Sequence, residues 1–262
     1  MHRTSLLMSA LLLSLTACSD PPSVDGTVTD LWGRPVEGAT VRLEGVAEHV
    51  TTDGGGAFRF ETTVGEHRIE AGKDGWIKAG TKVSVAEASD AIAPVTLELH
   101  REPAAPGFYA INHNKKEYSK LESLPIKVVG SEIGAYIGIE DDRDVILRKD
   151  KAIKVVFSST AKATEVSRLG LKLHRLEFVE NETVTGVLGE QQVAVNLWVA
   201  KEAVPFDMTG LPSENDYLIA AREPLEPGTY AFHTEGVLSS MSKDALDRTP
   251  QELQVAYPFI VK

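Results

Sequence analysis

Apolar and polar residues alternate along most of this chain. Val24, Gly26 and Val28, then Ala39, Val41 and Leu43, Phe58 and Phe60, Ile69 and Ala71, and Val95, Leu97 and Leu99 each recur at every second position. In an extended chain successive side chains point to opposite faces, so each set predicts a half-buried strand. Asp30 to Pro35 and Asp53-Gly54-Gly55-Gly56 supply the turn residues between them, Gly taking positive φ and Pro fixing it. The pattern continues in residues 107–262, where Val193, Val195, Leu197 and Val199 alternate with Ala194, Asn196, Trp198 and Ala200. That is a strand whose second face carries an indole. Leu171 and Leu173 give way to Leu176 and Phe178, so the apolar set slips by one near His174-Arg175 and predicts a β-bulge. Lys243 to Arg248 alone reads as a short helix. The chain is expected to be all-β, with a Pro/Ala-rich hinge at Pro103–Pro106 dividing a first domain, 24–99, from a larger β-rich domain, 107–262.

One local device occurs twice. Pro106-Gly107-Phe108-Tyr109-Ala110 and Pro227-Gly228-Thr229-Tyr230-Ala231 each predict a Pro-Gly turn feeding a strand. The flanking sequences do not match, so this is a shared device and not a duplication.

The N-terminus departs from the alternating pattern. His2 and Arg3 precede an apolar run from Leu6 to Leu15, and small residues lead to Cys18, the single cysteine. Ten apolar residues are too few for a membrane span, which needs about 20. The segment resembles a bacterial lipoprotein signal: residues 1–17 would be removed and Cys18 acylated as the new N-terminus. The resemblance implies palmitate on Cys18, a tether over 18–23, and a lipid-anchored place in the cell envelope, with Ser19 compatible with the outer membrane. A single acyl chain binds only marginally, so stable attachment takes two or more. Loss of Arg3 leaves 26 basic residues against 38 acidic ones, a formal charge of −12. An acidic field repels phosphate backbones, which argues against nucleic-acid binding. With Cys18 acylated no thiol remains, so disulfides and thiolate metal sites are excluded.

A second resemblance is carried by Gly26, Asp30, Gly33, Pro35, Val36, Gly38, Ala39, Val41, Thr52, Asp53, Gly56, Phe58, Phe60, Ala71, Lys73 and Gly75, in that order. These residues make 24–99 similar to carboxypeptidase regulatory-like domains. The resemblance implies a transthyretin-like, seven-stranded β-sandwich with a carbohydrate-binding-like fold and no catalytic residue of its own. His67 departs from the family pattern, which has an aromatic there. Residues 107–262 match no family by this reading.

Candidate chemistry is sparse. His67 and Glu70 lie three apart in a strand and face opposite ways, which places His67 inward with Ile69 and Ala71 as a buried histidine. The inferred bulge brings His174 and Glu177 onto one face, but catalytic zinc needs three protein ligands and no third is signalled, so no metal or other cofactor is expected. Ser240-Met241-Ser242-Lys243 has the spacing of a serine–lysine nucleophile but lacks its companion motifs, and reads as a helix N-cap. Glu140-Asp141-Asp142-Arg143-Asp144 reads as a solvated hairpin turn between strands ending near Ile139 and starting near Val145. Trp32, in a turn, and Trp198 are the candidate ligand-binding residues, because an indole stacks on the apolar face of a sugar. Trp76 stands where the family carries a core aromatic.

These observations favour a non-enzymatic, lipid-anchored envelope protein serving as a binding or scaffold module. Its expected partners are the membrane, through its lipid, and a polysaccharide or an envelope protein. The alternatives are an envelope enzyme in 107–262 using His113, His174, His233 or the acidic cluster, and an assembly or spacer lipoprotein.

Overall fold

The computed structural model describes residues 21–86, 93–131, 134–141, 145–147, 153–160, 166, 170–186, 189–234, 238 and 255–262. Its elements are strands, and the chain forms two compact units: residues 1–73 with 79–99, and residues 74–78 with 100–262.

In the first unit β1 (Ser23–Asp30) lies between β4 (Ala57–Glu61) and β8 (Val95–Arg101). A second sheet has β2 (Thr40–Leu43) and β5 (Gly65–Gly72) at its centre, flanked by β3 (His49–Thr51) and β7 (Ala79–Val85). These seven strands make the expected sandwich. The alternating apolar residues Val24, Val28, Phe58, Phe60, Leu97 and Leu99 are buried from the first sheet, and Val41, Leu43, Ile69 and Ala71 from the second. The Asp30–Pro35 turn folds the chain back on β1, where Pro35 bridges Thr29 and the Val36 N–H donates to the Val28 carbonyl, and the chain then crosses to the other sheet: β1 pairs with β4 and β8, whereas β2 pairs with β3 and β5. β1 and β8 run parallel, Gly26 to Asp30 matching Val95 to Leu99. A Cβ at Gly26 would strike the Val95 carbonyl and the Phe58 ring, so only glycine lets these strands meet.

The second unit opens with β6 (Trp76–Ile77), which pairs with the last two residues of β8. Its smaller sheet runs β10 (Glu117–Lys120), β9 (Gly107–Asn112), β15 (Lys154–Ser158), β19 (Asp216–Ala221), β18 (Phe206–Gly210). Its larger sheet runs β11 (Leu124–Pro125), β21 (Val255–Val261), β20 (Gly228–His233), β16 (Lys172–Gly186), β17 (Gly189–Ala203), β13 (Gly134–Ile139), β12 (Lys127–Ser131), with β14 (Ile146–Leu147) alongside β21. Phe108, Phe157, Tyr217 and Ile219 from the smaller sheet share one core with Leu173, Tyr230, Phe232 and Phe259 from the larger. Phe108 bridges them, stacked 4.5 Å from Phe157 and 5.0 Å from Phe232.

The repeated Pro-Gly device feeds one strand in each sheet, β9 and β20. The Tyr109 hydroxyl donates to the Ala105 carbonyl at 2.7 Å, and the Tyr230 hydroxyl to the Glu226 carbonyl at 2.7 Å. In both, a buried tyrosine reaches four residues back and pins the turn behind it, the logic of a tyrosine corner.

Two sequence expectations need correction. β13 ends at Ile139, as expected, but it pairs with β12 and β17 while β14 pairs with β21, so the acidic connection is not a hairpin. Glu140 there forms a 2.8 Å ion pair with Lys127, and residues 142–144 lie outside the described residues. A register shift does fall between Arg175 and Leu176, but the extra residue is Lys201 on β17, because Arg175 matches Glu202 and Leu176 matches Ala200. β16 keeps strict alternation. Its apolar set slips because both of its faces are covered: Leu173 enters the inter-sheet core, and Leu176 a second cluster on the outer face.

Candidate functional site

The outer face of the larger sheet gathers the chemistry of the second unit. Leu176, Ala231, Ala256, Ile139, Leu124 and Leu238 bury one another there, with Trp198 and Ala200 packed at the margin. Alternation along β16 carries His174, Leu176 and Phe178 to this face. Phe178 is the register partner of Trp198, and their rings meet at 5.4 Å with 55° between planes. Phe178 remains 46% exposed, and Trp198 is half-buried. The pair is therefore a step of aromatic surface at the edge of an apolar cluster.

Two bulges in β17 bracket this step. Val195 and Asn196 together oppose Glu180, with Asn196 at φ 49°, and Lys201 is the extra residue on the other side. Bulges twist a strand locally and re-aim its side chains. Lys201 reaches Glu177 at 2.7 Å, a link between exposed groups. The sequence marks Trp198 but not Phe178, because register alone makes them neighbours.

Trp32 is placed differently. Asp30 accepts hydrogen bonds from the Trp32 and Arg34 backbone N–H groups at 2.9 Å and from the Arg34 Nε at 2.6 Å. The guanidinium is thereby held over the half-buried indole, 4.9 Å from its centroid, which is a cation–π contact. Trp76 is not a core aromatic: it is half-buried beneath Arg101 at 4.7 Å, and its neighbour Ile77 fills the buried position.

The histidines separate. His67 shares its face with Ile69 and Ala71 but sits near the strand's start, half-exposed, its Nε2 2.7 Å from the Thr63 carbonyl; burial stops at Ile69. His113 follows β9 in the smaller sheet. His174 and Glu177 face opposite ways, since β16 has no bulge between them; Glu177 turns to Lys201 and His174 to His233, 2.8 Å away. Among the described residues no group of three histidine, cysteine or carboxylate side chains is placed to hold a metal. A cleft of about 160 Å³ is lined by Arg175, Glu202, Glu223 and Tyr230 among others, smaller than the roughly 300–1,000 Å³ typical of small-molecule sites. Cys18, Ser240 to Lys243 and the predicted helix at 243–248 lie outside the described residues. Among the described residues no helix is long and apolar enough to cross a membrane.

Residues 23–98 match the model of the carboxypeptidase regulatory-like domain, a family that is regulatory-like and not catalytic. No curated protein matches the sequence. Among solved structures the chain has a remote likeness to a protein of Bacteroides uniformis described as a candidate carbohydrate-binding protein, at 11% identity and TM-score 0.24, over 85% of this chain and 95% of that one. Another is to BcpA, the major pilin subunit of Bacillus cereus, at 11% identity and TM-score 0.22, over 92% and 68%. At these scores neither likeness carries an inference about fold or ligand.

Proposed function

We propose, on the premise that residues 23–98 are a carboxypeptidase regulatory-like domain, that this chain is a non-enzymatic binding protein of the bacterial envelope. In this reading Cys18 carries the lipid that holds it in the outer membrane, and the second unit binds polysaccharide through Phe178 and Trp198. The observation behind it is the cross-strand aromatic step, exposed at Phe178 and flanked by two bulges. A large aromatic left in contact with water forgoes part of its burial energy, and a sugar's apolar face recovers it by stacking.

The test uses the chain from residue 18 onward on a glycan array, followed by calorimetry with whichever polysaccharide is retained. Trp198→Ala is expected to weaken retention by about tenfold or more, a loss of roughly 1.4 kcal/mol, with the second unit still folded. Retention of no glycan by the wild type, or equal retention by the variant, overturns the glycan reading and leaves protein scaffolding. The anchor is checked separately: Cys18→Ser should abolish palmitate labelling and release the protein from membranes.

A further inference from the structure

His174 and His233 play no part in that reading. They stand on the same outer face, where His174 matches Ala231 and His233 matches Lys172 across the β16–β20 seam. His233 is 1% exposed. Its Nδ1 lies 2.8 Å from the Thr234 carbonyl oxygen, and its Nε2 lies 2.8 Å from Nδ1 of His174. A carbonyl only accepts, so Nδ1 of His233 bears the proton and Nε2 of the neutral ring holds a lone pair. The proton between the rings therefore belongs to His174 Nδ1.

The ring geometry distinguishes this pair from a metal chelate. The centroids are 4.9 Å apart with 25° between planes, which is about the nitrogen–nitrogen distance plus the two ring radii. The rings thus meet edge to edge, with N–H and lone pair on one line. Chelation would instead need both lone pairs to converge on a third point.

Protons act on this arrangement in two steps. The first can settle on the outward Nε2 of His174 and leave every hydrogen bond intact. A proton on Nε2 of His233 sets N–H against N–H and breaks the link. We propose that the His174–His233 pair is an acid-sensitive clasp on the β16–β20 seam, closed at neutral pH and opened by acid, which loosens the apolar outer face around Leu176 and Ala231.

The surroundings support closure in the neutral form. Ala203 of β17 and Ala256 and Pro258 of β21 face the pair without charge, and Lys172 of β16 adds a positive one. Desolvation by burial, the largest cause, pushes His233 down to about 4 against the raising effect of the Thr234 carbonyl, with His174 and Lys172 lowering it further. Burial, then Lys172, also lowers His174. Both folded values lie below the open-chain value, so the clasp is at full strength above about pH 6.5 and weakens as pH falls toward 4.

Hydrogen exchange of the chain from residue 18 onward, corrected for intrinsic rates, tests this without a ligand. Opening of the segments 172–176 and 229–233 should rise by roughly fifty-fold between pH 7 and pH 4.5, while β15 and β19 keep their protection. His233→Phe should remove most of that dependence, leaving only the part that His174 contributes. If the variant does not fold, imidazole nitrogen shifts of the wild type decide, with a proton on Nδ1 of both rings at neutral pH and both titrating below the ordinary range. Ordinary titration of both rings, seam exchange that ignores pH, or equal loss of protection in β15 and β19 overturns the clasp.

Discussion

Phe232 offers the sharpest test of the second unit's core. Its ring is 1% exposed, stacked at 5.0 Å on Phe108 and 5.8 Å from Phe259, with Phe206 edge-on at 6.1 Å. Removing a buried phenylalanine costs about 3–5 kcal/mol through lost burial and the cavity left behind. Each well-placed aromatic partner adds about 0.5–1.5 kcal/mol, and the three here share one ring and do not add fully. Phe232→Ala should therefore cost about 5 kcal/mol, close to the whole stability of a modest domain at about 5–15 kcal/mol. Phe178, 46% exposed and touching Trp198, is the internal control, and its alanine variant should lose less than about 1.5 kcal/mol. Urea unfolding followed by near-ultraviolet circular dichroism separates the two. Should Phe232→Ala cost no more than Phe178→Ala, the assignment of the shared inter-sheet core is wrong.

Gly26→Ala should destabilise the first unit by about 1–3 kcal/mol, because the new methyl meets the Val95 carbonyl and the Phe58 ring. Gly54→Ala, with open space around it, should be nearly neutral, and equal melting temperatures for both variants would refute the close approach. Asp30→Ala removes a buried acceptor of three hydrogen bonds and should cost about 2–3 kcal/mol in thermal unfolding, with Asp30→Asn retaining part of it. A loss no greater than that of a surface substitution would show that the turn does not depend on Asp30.

Strands were legible in the sequence because period-two alternation reports directly which face is buried, and Val24 to Leu99 follow it. Partners were not, since alternation says nothing of which strand lies alongside. Hence β1 and β2, joined by the nine residues 31–39, separate into two sheets, and β13 and β14 do not pair. β16 misled for a related reason: a strand covered on both faces shows apolar residues of both parities, which imitates an inserted residue. Trp198 was legible as a large aromatic opposite an apolar stripe, but Phe178 and the His174–His233 contact depend on cross-strand register, and the two histidines are 59 residues apart.

The parallel match of β1 with β8 has a mechanical consequence. The sandwich takes in the chain at Ser23 and gives it out beyond Leu99, which pairs with Asp30 at the far end of β1, seven residues or about 23 Å along the strand axis. Tension between those two points would load the ladder from Gly26 to Asp30 in shear, every rung at once, and could not peel it open one rung at a time. A domain threaded this way resists pulling best along the line from Ser23 to Leu99.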